Sequence, residues 1–289
     1  MYRFETQKFT DGLFAVDAAY VIHLENNGRL PQLTKQLETT HVADVVHVLY
    51  NAGYKKVAKD LPAQTPAHDL VHAYKHVFSD AREKGYDRVL VLEDDFFFRD
   101  DMGKAEVDAV NAYLKANSGR KLLYQLGCMP GVMLPVGGGT YLTAACGTHA
   151  CVYTRKLRDY VLDFKGLIRD WDWFMSFHTL RYAYSRPLCY QLYPVTDNSN
   201  HWMALLGYTY VLKGAIRVFR LDTQAEPGYG ICYWGAKLNG FNLLAITALA
   251  VYYRDFLLSL RSEKIYSYSK WFLQELQSLL SKGTPTLPL

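Results

Sequence analysis

Charge is scarce in this chain and nearly balanced in sign. Only 21% of its 289 residues are Asp, Glu, Lys or Arg, and the formal sum is +4. Lys and Arg are scattered, with no run long enough to follow a phosphate backbone, so nucleic acid is not an expected partner. Cysteine is scarce too: Cys128, Cys146, Cys151, Cys189 and Cys232 form an odd set without CxxC spacing. That argues against a disulfide framework and a zinc site, and it fits a reducing compartment. The longest apolar run, residues 243–253, falls short of the roughly 20 residues a membrane span needs. The opening MYRFETQKFTDG lacks the basic-then-apolar build of a cleaved secretory leader. The expectation is a cytoplasmic protein, peripheral at a membrane surface at most.

What the chain does have is apolar and aromatic. Half of it is hydrophobic and 15% is aromatic, with 23 tyrosines. That is ample for a folded core and excludes a disordered chain. Residues 18–24 (AAYVIHL), 45–50 and 88–92 are apolar runs of strand length. Residues 30–38 between the first two have helical spacing, and residues 69–83 place Leu70, Ala73, Tyr74, Val77, Phe78 and Ala81 on one helical face. Fully apolar strands alternating with helices predict an α/β chain with a mostly parallel, Rossmann-like sheet flanked by helices. Residues 104–116 and 156–164 read as further helices, 121–126 and 189–193 as strands, 141–154 as strand-rich and 170–184 as an aromatic helix. The glycine run 137–139 reads as a hairpin turn or a lid hinge. Residues 1–235 are expected to form the main domain, 236–283 a C-terminal helical extension, and 284–289 a disordered tail.

The feature that asks for an explanation is VLVLEDDFFF, residues 89–98, where three acids sit between two apolar runs. A buried carboxylate is costly unless a cation or hydrogen-bond donors compensate it. Ligands of parallel sheets gather at the carboxyl ends of strands, and these acids stand at such an end. On an extended backbone Glu93 and Asp95 share one side and Asp94 takes the other, so it must find another partner. Two carboxylates so spaced can hold a hard divalent cation while leaving room for phosphate oxygens. A solvated acidic turn has the same spacing.

Residues 84–95, KGYDRVLVLEDD, resemble the core motif of the family 25 glycosyltransferases, which include lipooligosaccharide and collagen-type galactosyltransferases. Three other blocks follow the family order: YVIHL with Arg29, residues 146–155 (CGTHACVYTR), and Asp170-Trp171-Asp172-Trp173. The departures are Val71 where the family has Ser before His72, two extra residues ahead of the acidic strand, His23 for Asn, and a single arginine after the first strand.

The resemblance implies a GT-A-type fold and a metal-dependent, inverting transfer of a hexose, galactose or glucose, from a UDP-sugar to a glycan, lipid-linked or protein hydroxyl. It makes Asp95 a direct ligand of Mn2+ or Mg2+ and Glu93 a metal or ribose contact, with His201 or Asp197 as late additions to the metal shell or members of a polar turn. Leu24, Glu25, Arg29, His72 and Asp94 fall on the nucleotide-sugar side; Arg29 either binds phosphate or is an exposed surface residue. Asp172 or Asp170 would be the general base, unless Asp170 merely caps the helix that follows. Trp171 and Trp173 suit sugar rings. His149 either meets the acceptor or is a buried structural histidine. The rival reading is a catalytically degenerate protein that binds glycans or nucleotide sugars without turnover. At the C-terminus, Ala245, Leu249, Tyr252, Tyr253, Phe256 and Leu260 form an apolar stripe near basic residues. It is expected to cover the sheet, join a homodimer or touch a membrane surface.

Overall fold

The computed structural model describes residues 2–193, 207–254, 270 and 274. The chain divides into two compact units, Met1–Asn239 and Gly240–Leu289. In the first, the order begins β1 (Tyr2–Lys8), β2 (Ala18–Leu24), α1 (Leu30–Thr39), β3 (Val45–Asn51), α2 (Pro66–Glu83) and β4 (Arg88–Glu93). It continues with β5 (Phe96–Phe98), α3 (Lys104–Ala116), β6 (Leu123–Gln125), β7 (Met129–Gly137), β8 (Thr140–Cys146), β9 (Ala150–Thr154) and α4 (Arg155–Asp163). After α5 (Trp171–His178), β10 (Arg181–Tyr184) and β11 (Cys189–Gln191) come α6 (Tyr208–Phe219) and α7 (Gly228–Tyr252).

Nine strands form one sheet in the order β1-β3-β2-β4-β9-β6-β10-β8-β7. The expected parallel unit is present: β2 lies between β3 and β4, parallel to both, with Ile22 opposite Leu49 and Glu93. Elsewhere among the described residues only β6 and β10 pair in parallel, and the other ladders are antiparallel. The expectation of a mostly parallel sheet is therefore corrected to a mixed α/β sheet rich in antiparallel pairs. The cause is local. Short connections fold β7 back on β8 through Gly137, Gly138 and Gly139, all at positive φ, so the glycine run is a hairpin turn. The strand β1 runs antiparallel along β3.

Alternation along the central strands sends side chains to two cores. Val89 and Val91 join Tyr20, Tyr74, Val77, Phe78 and Trp171 on the face covered by α2, α4 and α5. Leu90 and Leu92 join Val21, Val46, Leu33, Leu37 and Val110 on the face covered by α1 and α3. Each fully buried large side chain contributes about 1.5–3 kcal/mol, so double coverage fixes the central register firmly. The segment 170–184 is not one helix: α5 stops at His178, and Arg181 enters β10 between β6 and β8. In a run this aromatic, helical and strand spacing look alike.

In the second unit the described α7 side chains Phe241, Ile246, Leu249, Val251 and Tyr252 are exposed. Among the described residues no helix is long and apolar enough to cross a membrane. Phe256, Leu260 and the rest of the expected C-terminal extension fall outside the described residues, Lys270 and Gln274 apart.

Candidate functional site

A cavity of about 900 Å³ opens at the carboxyl ends of the parallel strands, lined by Leu24 at the end of β2, Asn51 at the end of β3 with Gly53 after it, and Glu93, Asp94 and Asp95 at the end of β4. Because β2, β3 and β4 run in one direction, their last residues meet at one edge. The remaining wall comes from Gly147, from Asp170, Asp172, Trp173 and Phe177 of the α5 region, and from Arg181 and Gln191.

The three acids occupy three environments. β4 ends at Glu93, and Asp94-Asp95 form the tight turn into β5, so strand alternation does not run through all three. The Glu93 carboxylate accepts from the Tyr74 hydroxyl at 3.1 Å and the Thr148 hydroxyl at 3.2 Å. Burial, then the charges of Asp95 and Asp172, push it up to about 8. Asp94 is 7% exposed and accepts from His23 Nδ1 (2.9 Å), the Leu24 amide (2.8 Å), Asn27 (2.6 Å) and Arg29 (2.8 Å). Burial alone would raise it, but these donors outweigh burial and hold it below the usual carboxylate range. Asp95 accepts from Arg29 at 3.2 Å and from Gln191 Nε2 at 2.9 Å, and burial still leaves it raised.

Arg29 is therefore not a free surface residue: one guanidinium nitrogen spans Asp94 and Asp95. Part of the compensation sought for the acids comes from within the chain. Glu93 and Asp95 keep lone pairs for a hard cation that also takes phosphate oxygens, which is the donor set such an ion prefers. Among the described residues no group of three or more His, Cys, Asp or Glu stands close enough to hold a metal ion by itself. His201 and Asp197 lie outside the described residues.

Asp170 and Asp172 separate by role. Asp170 caps α5, accepting from the Trp173 amide at 3.0 Å. Asp172 stands in the first turn, lines the cavity and accepts from the Gly147 amide at 3.1 Å. Burial first, then Asp170, raise Asp172 to about 6, with Arg181 working against them. Trp171 is 2% exposed, stacks on Tyr74 at 4.1 Å and donates to the Tyr153 hydroxyl at 3.0 Å. It seats the helix and offers little face to a sugar. Trp173 stacks with Phe177, itself 69% exposed, giving the cavity an aromatic wall.

Two expected residues point elsewhere. His72 does not line the cavity; its Nδ1 meets the Tyr2 hydroxyl at 2.8 Å and its ring stacks on Tyr2, because β1 covers that flank of α2. His149 is fully buried and held neutral, with burial lowering it to about 4. It faces the Cys189 carbonyl, but neither ring nitrogen reaches hydrogen-bond geometry. Gly127 explains the tightness there: a Cβ on it would lie 1.8 Å from the Cys189 carbonyl oxygen and 2.8 Å from His149 Nε2.

Sequence reasoning missed Gln191, Tyr74, Thr148, Phe177 and Arg181. Gln191 reaches Asp95 because β11 pairs antiparallel with β5, setting Gln191 opposite Phe96. No local pattern in the sequence announces that pairing.

No family model matches the chain, and no curated protein matches it. Among solved structures it is similar to A197 from STIV, at 14% identity and a TM-score of 0.39 over 62% of this chain and 86% of that one. It is also similar to an apo UDP-glucose pyrophosphorylase, at 10% identity and a TM-score of 0.32 over 58% of this chain and 72% of that one.

Proposed function

We propose that the chain is a nucleotide-sugar-dependent glycosyltransferase of GT-A type that moves a hexose to a hydroxyl acceptor with inversion. The observation that carries this reading is the convergence of Glu93, Asp95 and Asp172 on one cavity at parallel strand ends, each held above its usual carboxylate range. Carboxylates raised by burial and by one another are poised to receive positive charge or a proton. Leu24, Glu25 and Asn27 at the end of β2 offer a floor for the nucleoside, beside Arg29. A Mn2+ or Mg2+ ion held by Glu93 and Asp95 would supply charge that stabilises the departing nucleoside diphosphate.

Asp172 is the base of this scheme. Raised to about 6, it is ionised at neutral pH yet basic enough to accept a proton in the transition state. It takes the proton of the acceptor hydroxyl while that oxygen bonds to the anomeric carbon and the bond to the diphosphate oxygen breaks. A sugar ring stacked on Trp173 would bring its hydroxyl to the same wall.

The test is incubation with a panel of UDP-sugars and Mn2+, following release of nucleoside diphosphate with and without EDTA. Turnover that needs the metal and fails in Asp172→Asn supports the reading; no turnover with any donor and acceptor overturns it. Arg29 bridging Asp94 and Asp95 favours a second reading, a nucleotide-sugar binder whose internal cation replaces the metal. Calorimetric UDP-sugar binding in EDTA, without release of diphosphate, would be its signature.

A further inference from the structure

The cavity wall holds a cation that the reading above does not use. Arg181 opens β10 in the interior of the sheet, locked between β6 and β8, and is 6% exposed. Its backbone carbonyl accepts from Thr143. Its guanidinium makes no hydrogen bond or ion pair among the described residues, and Nη1 is buried without a partner. Arg158, at 3% exposed, shows what a structural arginine in this fold looks like: it is paired with Asp159 and donates to the carbonyls of Ala81 and Tyr86. A buried charge without such partners is strongly unfavourable unless a ligand completes it.

The surroundings fit a ligand. Arg181 shares the wall with Asp172, which feels its charge but stays beyond ion-pair distance. Beside it Gly131, Ala144 and Ala145 present almost no side-chain bulk, and Trp173 supplies an aromatic face. A guanidinium forks onto a carboxylate or phosphate with two parallel hydrogen bonds.

We propose that Arg181 anchors an anionic group, a carboxylate or phosphate carried on a sugar ring, so that the acceptor is an acidic saccharide. The word acceptor rests on the glycosyltransferase reading; capture of the anion does not. With the ring against Trp173 and its anion at Arg181, a free hydroxyl lies toward Asp172. A neutral saccharide in the same place would leave Arg181 unpaired.

The experiment measures quenching of tryptophan fluorescence in the full chain by three probes: glucuronate, glucose 6-phosphate and glucose. Both classes of acidic probe are tested because carboxylate and phosphate share the chemistry, and whichever binds tighter names the source. A charge-assisted bond predicts that at least one acidic probe binds about tenfold or more tighter than glucose. That preference should weaken with added salt and disappear in Arg181→Met. Arg181→Lys should restore part of it. Equal affinity for all three probes, or an acidic preference that survives Arg181→Met, overturns the proposal, as does a failure of every probe to bind. Should Arg181→Met not fold, the charge preference and salt dependence of the unaltered chain decide. Diphosphate release from UDP-sugars is followed in the same samples. An acidic preference without turnover retains the anion site and removes the transferase reading; turnover without the preference does the reverse.

Discussion

Asp172 and Asp94 show how far the residue, rather than its charge, decides the role. Burial first, then the neighbouring Asp170, leave Asp172 basic despite the Gly147 amide it accepts from. Asp172→Asn keeps the shape and the Gly147 contact but removes the base, so kcat should fall about 10²–10⁴-fold with little change in donor KM. In the unaltered chain the acid limb of the kcat profile should bend near pH 6, as Asp172 protonates. A limb that persists in Asp172→Asn would show that another group titrates. Asp94 is saturated by four donors, three of them from the side chains of His23, Asn27 and Arg29. Asp94→Ala strands these donors and should cost about 3–5 kcal/mol in urea unfolding. Asp95→Ala, with two partners at the cavity edge, should cost less stability and more metal-dependent turnover. A larger stability loss in Asp95→Ala would reverse the assignment.

At the scale of elements, α5 is the part to which the proposed function assigns the base, and Trp171 seats it through Tyr74 and Tyr153. Trp171→Ala should lower stability by about 3–5 kcal/mol. Trp173→Ala should cost less, and act through a higher acceptor KM. Thermal and urea melts separate the two; equal losses would place Trp173 in the core as well. How much of this was legible follows from the neighbours each element needs. β2, β3 and β4 are apolar on both faces, so their sequences alone announce buried parallel strands, and they came out within a residue or two. The strand β1 reads YRFETQK, half polar, because it lies at the edge with one face to solvent. β10 hides in an aromatic run whose partners β6 and β8 lie some forty to sixty residues upstream. The acids were legible as a strand end. Gln191 and Arg181 were not, since each enters the site through strand pairing that leaves no local spacing.

At the scale of the molecule, the raised acids make stability depend on pH. Glu93 is shifted from its usual 4.5 to about 8, so the folded chain holds a proton that the unfolded chain releases. That contribution is complete below about pH 4.5 and is lost as pH rises through 8. Asp95 and Asp172 act in the same direction, and Asp94, held low, acts in the opposite one. The melting temperature of the metal-free protein should therefore decline from pH 6 to pH 8.5. Glu93→Gln should flatten the decline, and Mn2+ should offset it most at the high end; a flat profile in the unaltered chain would remove the charge excess on which the proposed metal site depends. The exposed apolar side chains of the second unit should make the full chain self-associate or float with liposomes, whereas a chain ending at Asn239 does neither. Light scattering and flotation read both outcomes.

Gly127 has a bearing on how this protein can diverge. With the Cys189 carbonyl oxygen 1.8 Å from where a side chain would begin, no substitution fits without displacing β11, and Gln191 would leave Asp95 with it. In a saturation library this position should tolerate no replacement, whereas Gly119, with nothing nearby, should accept most. Lineages could then remodel the cavity wall around Arg181 to change what is recognised, while the close backbone approach of Gly127 to Cys189 stays frozen.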